Sequence, residues 1–249
     1  MTSGKATTVA VKDVSELAEL QSPEVQLPGA VGADSTMTYE LSPDLVTLSD
    51  ARKSEAEAIR TVRTHVVARH LEDGRRGLAI SAATAGVGCS FTAANLAVAL
   101  SQGGIATLLI DGDLREPQIE EFIRPSAATA GVKQYLSASD TRIGDYIHHE
   151  VLPNLSVMYS GGVASDAQEL LAGDTFKRLI ERCLRDYEFT IIDTPAAKNV
   201  ADALRISSII GYALIVAKAH KSRSNDVAVL ARQLQQDGAE VVGTILNET

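Results

Sequence analysis

Gly77-Leu78-Ala79-Ile80-Ser81-Ala82-Ala83-Thr84-Ala85-Gly86-Val87-Gly88-Cys89-Ser90 is the stretch that decides how this 249-residue chain folds. It opens as a short apolar run, Gly77–Ala82, of strand length. It then turns through Gly86 and Gly88 and enters an Ala- and Leu-rich helical segment, Ser90–Gln102. A glycine-bearing turn between a strand and a helix lets successive backbone N–H groups face an anion, and the helix N-terminus adds its dipole. Ser90 stands where a Mg²⁺-coordinating hydroxyl belongs. Two positions depart from the phosphate-loop pattern: Ala83 replaces its first Gly, and Cys89 replaces its Lys.

The same alternation continues outward. Apolar runs recur at Ala106–Ile110, Leu155–Tyr159, Phe189–Ile192, Gly211–Ala217 and Val241–Leu246. Helical patterns fall between them at 118–123, 166–171, 175–186, 201–207 and 224–236. A further helix is expected over 50–71, with Ile59, Val62, Val66 and Val67 on one side; Ser54 and Glu57 have capping-box spacing, and Ser49 or Asp50 could equally start it. The runs are apolar at both parities, as a sheet covered on both faces requires. Strands alternating with helices predict a mainly parallel sheet with helices on both faces.

Two strand ends carry acids. Leu108-Leu109-Ile110-Asp111-Gly112-Asp113 places two carboxylates at a C-terminal strand end, where open α/β sheets bind ligands. Phe189-Thr190-Ile191-Ile192-Asp193-Thr194-Pro195 has the Walker B form, in which an Asp reaches Mg²⁺ through water. With the glycine turn, these motifs predict an α/β P-loop NTPase three-layer sandwich. Gly86, Val87, Gly88, Cys89 and Ser90 are the expected nucleotide-binding positions. Ser90, Asp111 and Asp193 are the expected metal positions, and Asp111 and Asp113 the expected catalytic acids.

Composition narrows the function. Two Cys exclude a disulfide scaffold, and a net charge of −9, 4% aromatics and no Trp argue against a nucleic-acid partner. The apolar stretches are about half the ~20 residues needed to cross a bilayer. Lys5 and Lys12 face eight acids within residues 1–50, so −6 of the −9 lies there. Residues 1–48 read as an acidic, disordered leader, and 49–249 as the folded domain.

The quoted motifs, together with "TAANLAVALSQGG", "LLIDGDLREP", "SDAQELL", "LRDYEFTIIDTPA" and "VVGTILN", resemble the bacterial tyrosine autokinases (BY-kinases) of exopolysaccharide and capsule synthesis, CpsD/CapB-like. Their relatives are septum-positioning and plasmid-partition ATPases. Glu57-Ala58-Ile59-Arg60-Thr61-Val62-Arg63 resembles the E-x-x-R-x-x-R helix that joins those kinases into rings, which implies a homo-oligomer through Glu57, Arg60 and Arg63. The resemblance also implies ATP or ADP with Mg²⁺, and a transmembrane polysaccharide co-polymerase as partner. It further implies a cytoplasmic location, peripheral at the inner membrane through that partner. Thr84 stands where partition ATPases carry an additional Lys, which favours the kinase branch.

Two departures set the functional expectation. Without the Lys at 89 the loop loses a charge-assisted hydrogen bond worth ~1.5–3 kcal/mol. Cys89 reads as a small neutral replacement, with a redox-sensitive thiolate as the alternative; Lys198 is a candidate replacement charge. The six Tyr are scattered and the last is Tyr212, so the family's C-terminal Tyr cluster is not found. Tyr39, in the leader, is then the expected acceptor. The leading expectation is a BY-kinase-like regulator of polysaccharide polymerisation and export with weakened or lost kinase activity. The alternatives are an active tyrosine kinase on another protein, a positioning ATPase and a structural ring module.

Overall fold

The structure, a computed structural model, describes residues 7–10, 37–49, 51–138, 142–196 and 200–248. In chain order the elements are β1 (Thr7–Ala10), β2 (Thr38–Leu41), α1 (Lys53–Val66), β3 (Gly77–Ser81), α2 (Cys89–Gln102), β4 (Thr107–Asp111), α3 (Ile119–Phe122), β5 (Ile123–Pro125) and α4 (Val132–Ser137). There follow β6 (His148–Leu152), β7 (Leu155–Met158), α5 (Ala167–Ala172), α6 (Asp174–Asp186), β8 (Phe189–Asp193), α7 (Val200–Ile210), β9 (Tyr212–Lys218), α8 (Ser224–Gln236) and β10 (Glu240–Asn247).

Seven strands form the main sheet in the order β10-β9-β3-β8-β4-β7-β6. All neighbours are parallel except β6 and β7. The two-sided apolar pattern has its expected cause. Leu78 and Ile80 of β3 face one cluster, with Leu109, Ile191 and the α2 residues Ala93, Leu96 and Leu100. Ala79, Leu108, Ile110 and Ile192 face the other, with Phe176, Leu179 and Ile180 of α6 and Ile206 of α7. In α6 the buried residues Phe176, Leu179, Ile180 and Cys183 recur at helical spacing, leaving a polar outer face. By contrast α2 is buried from Thr92 to Ser101, because α1 and the segment before it cover the side away from the sheet. Among the described residues no helix is long and apolar enough to cross a membrane.

The N-terminal boundary differs from the expected one at 49. Residues 37–48 belong to the packed domain: β2 pairs antiparallel with β5, and Tyr39, Leu41, Leu45 and Val46 are buried. Asn95 of α2, fully buried, fixes the segment through its side chain, accepting from the Val46 N–H at 2.8 Å and donating to the Asp44 carbonyl at 3.0 Å. The four-residue strand is too short, among Ser, Pro and acids, to show a period. Residues 11–36 of the leader lie outside the described residues.

Tyr39 is therefore no flexible acceptor. It is 4% exposed and its hydroxyl pairs with His148 Nδ1 at 2.9 Å. The helix expected over 50–71 is α1 followed by one π-turn, Val67–Leu71. It begins after Arg52 with no side-chain cap, and the Ser54 hydroxyl reaches Glu55 rather than the backbone, so the capping box does not form. Arg52 instead bridges Asp44 and Glu55, tying the helix start to the preceding segment.

Candidate functional site

The strand order brings the three motifs to one edge. β8 lies between β3 and β4, so the turn after β3 sits beside both acidic strand ends, and Asp111 and Asp193 are register partners on neighbouring strands. The turn bends as its glycines allow. Gly86 has φ +66° and Gly88, the residue before α2, has φ +94°. A Cβ at Gly88 would lie 2.6 Å from Asn247 Nδ2, so this position is held to glycine by conformation and by space. Ala83, at the pattern's first Gly position, packs against the core instead. The turn and the start of α2, Thr84 to Ser90, thus line a small cavity. Its other walls are Asp113, Glu116, Gln118, Thr194 and Ala196.

Cys89 does not take the place of the missing lysine. Its Sγ turns inward and donates to the Ile80 carbonyl at 3.6 Å. Burial, then the Asp193 and Asp113 charges, push its pKa well above the ordinary thiol value. Both the inward hydrogen bond and the raised pKa favour the thiol form and count against the thiolate-sensor alternative.

The acids divide the work. Asp193 is 1% exposed, and neither of its carboxylate oxygens has a hydrogen-bond partner. Burial and the Asp111 charge hold its pKa well above the usual carboxylate range; the nearby Ser90 hydroxyl opposes that shift while giving its own hydrogen bond to Gln118 Oε1 at 3.1 Å. Asp111 is fully buried and spends its oxygens on the loop, accepting from the Asp113 and Ile119 N–H groups at 3.2 Å each. Burial pushes its pKa up to about 7. Asp113 uses one oxygen to accept the Arg115 and Glu116 N–H groups, at 3.0 and 2.9 Å, and borders the cavity. Through these bonds Asp111 holds the acidic loop in place.

A divalent cation fits this site. A buried carboxylate with no partner is costly unless a cation or proton meets it. Among the described residues no three Asp, Glu, His or Cys side chains converge on one point. Ser90, Asp193 through water, and the ligand's own phosphate oxygens would therefore hold Mg²⁺, as is usual for this ion.

Several supports were not read from sequence. Lys221 Nζ donates to the Gly86 carbonyl at 2.9 Å, and Asn247 Nδ2 to the Val87 carbonyl at 3.0 Å, so the β9 and β10 ends brace the loop. Arg115 pairs with the buried Asp202 at 2.6 Å, linking the acidic loop to α7. The cation-rich run Lys218 to Arg223 at a strand end was the available signal for the first of these. Lys198 lies outside the described residues. On α1, well away from this edge, Arg60 pairs with Glu57 at 3.4 Å, and Arg63 donates to the Ala99 carbonyl at 3.3 Å.

Residues 75–236 match the family model described as an AAA domain. The tyrosine-protein kinase CpsD of Streptococcus agalactiae is 33% identical over 81% of this chain and 86% of its own length. The putative tyrosine-protein kinase CapB of Staphylococcus aureus is 30% identical over 78% of this chain and 84% of its own. The crystal structure of the chimerical protein CapA2B2 superposes with a TM-score of 0.73 at 28% identity, covering 84% of this chain and 91% of that one. With the phosphate loop, the paired acidic strand ends and this degree of likeness, the chain belongs to the bacterial tyrosine kinase family, as a CpsD/CapB-like member.

Proposed function

We propose that this protein is a BY-kinase-like regulator of exopolysaccharide or capsule polymerisation and export, in which tyrosine kinase activity is weakened or lost. It acts at the inner face of the membrane through a transmembrane co-polymerase and assembles with copies of itself through Glu57, Arg60 and Arg63. The observation that carries the weakened activity is Cys89, neutral and turned onto the Ile80 carbonyl where the family has a lysine. Phosphoryl transfer depends on positioning and on charge that stabilises the phosphates, and this loop supplies N–H dipoles without the loop's own cation.

Nucleotide binding is retained in this reading. The backbone cradle keeps its shape, Ser90 is present, and Asp193 is left without a partner, as a Mg²⁺·nucleotide would require. Gly86, Val87, Gly88 and the start of α2 bind phosphate through N–H groups. Asp111 holds the acidic loop in place, and Asp113 offers its remaining oxygen to the cavity as the candidate acid–base group.

The test is binding of a fluorescent ATP analogue with Mg²⁺, and phosphate transfer to a Tyr-containing substrate, in wild type and Cys89→Lys. Wild type is expected to bind weakly with little transfer, and Cys89→Lys to bind more tightly. Tight binding with efficient transfer by wild type would refute the weakened-activity reading. It would favour the second one, an active kinase on another protein, which the intact acid set supports.

A further inference from the structure

The loop has no cation of its own at residue 89, but a cation sits on it. β9 runs parallel to β3, with Ser81 opposite Ile215, so the turn after β9 emerges beside the phosphate loop. From that turn Lys221 places its Nζ 2.9 Å from the Gly86 carbonyl oxygen. A Cβ at residue 86 would approach this amine to 2.8 Å, so the glycine leaves room for it. Lys221 is exposed, and its hydrogen bond to Gly86 uses one of its three N–H donors.

The neighbourhood has the same sign. Lys218, Lys221 and Arg223 fall within six residues, and among the described residues none of them forms an ion pair. Each of the eight Arg and Lys residues that do form such pairs among the described residues lies elsewhere, on or just before α1, on α6, at the strand edges or in the acidic loop. Of these three cations Lys221 is the one placed on the loop, at the Gly86 carbonyl, with Lys218 and Arg223 close to it in the chain.

We propose that Lys221 is the phosphate-binding cation of this site, supplied from the β9–α8 turn in place of the missing residue-89 lysine. Its ligand is the polyphosphate of a nucleoside di- or triphosphate, so the proposal rests on the nucleotide reading above. The ammonium is a point charge on a flexible four-carbon stem. It can exchange the Gly86 carbonyl for a phosphate oxygen at the loop without moving the backbone. Lys218 and Arg223 add to the local field and draw the same anion.

The experiment is titration of the full chain, with Mg²⁺, with fluorescent ATP, ADP and AMP analogues at two salt concentrations. Wild type, Lys221→Met, Lys221→Arg and the same changes in a Cys89→Lys background are compared. Lys221→Met should weaken the ATP analogue about tenfold, which is ~1.4 kcal/mol. It should weaken ADP less and AMP little, and should flatten the salt dependence. Lys221→Arg, which keeps the charge, should stay close to wild type. In the Cys89→Lys background the cost of Lys221→Met should largely disappear, because one cation then substitutes for the other.

Unchanged affinity in Lys221→Met would overturn this proposal alone. Equal losses for all three nucleotides with an unchanged salt dependence would also overturn it, since they would mark Lys221 as a brace of the loop backbone. If neither wild type nor Cys89→Lys binds any of the nucleotides, the nucleotide reading fails and Lys221's role fails with it.

Discussion

Asp111 makes the stability of this protein depend on pH in a direction opposite to that of most acids. Its pKa is raised by burial from 3.8 to about 7. Between those values the folded chain holds a proton that the unfolded chain has released. Stability from this group is therefore fully present below about pH 4 and is lost as pH rises toward 7. Linkage gives a few kcal/mol more stability at about pH 5 than at about pH 8, shared between Asp111 and the neighbouring buried Asp193. Other groups titrate in the same window. His148 and His149 are held below the ordinary imidazole value by burial, so they lose stability as pH falls. The perturbation that tests this is Asp111→Asn, which removes the Asp111 proton site together with the charge that raises its neighbour Asp193, so the variant reports the buried pair. It costs one of two accepted backbone hydrogen bonds at every pH, while the histidines act equally on both proteins. The assay is urea unfolding of wild type and variant, free of nucleotide and Mg²⁺, at about pH 5 and about pH 8. Wild type should gain on the variant by about 2–3 kcal/mol on going to the lower pH. A difference between the two proteins that stays constant to within about 0.5 kcal/mol, the usual scatter for independent effects, would refute the reasoning.

Asn95→Ala should destabilise the fold by about 2–4 kcal/mol, because the Val46 N–H and the Asp44 carbonyl both lose their partner. Residues 37–48 should then become the first site of limited proteolysis, and an unchanged cleavage pattern would count against Asn95 as their anchor. The double variant Arg60→Ala/Arg63→Ala should reduce the oligomer to monomer in light scattering. Arg63 also donates to the Ala99 carbonyl, so a companion melting curve is needed to separate loss of assembly from loss of fold.

The strands and helices of the main sheet were legible to within a few residues, because each is a run of apolar residues with one period and a clear stop. The exceptions are short or irregular. β2, β5 and α4 have 4, 3 and 6 residues, too few for a period to stand out. β6 carries His148, His149 and Glu150 before its buried Val151, and pairs antiparallel at the sheet edge, where one face meets solvent. The acidic leader showed the same limit from the other side. Its charge suggested disorder, yet burial of Tyr39, Leu41, Leu45 and Val46 anchors its last dozen residues to the domain.

At the site, residue type and spacing located the loop, its two glycines, Ser90 and the three aspartates, since those features are local to one strand end each. What each group does there is set by neighbours far away in the chain. Asp111 and Asp193 are 82 positions apart and become partners because β8 is inserted next to β4. Burial there drives both up in pKa, with the Asp111 charge adding to the rise at Asp193, and Asp193 is left with no hydrogen-bond partner while Asp111 is consumed by the loop. The same holds for the charge at the phosphate loop. Reading along the chain shows a lysine missing at 89 but not where another cation arrives. Lys221 lies 135 residues from Gly86, and only the packing of β9 against β3 brings its amine to that carbonyl. Local pattern governs which segments become strands and turns, because backbone preference and burial act over a few residues. The electrostatics of the site belong to the fold, because charges interact through space rather than along the chain.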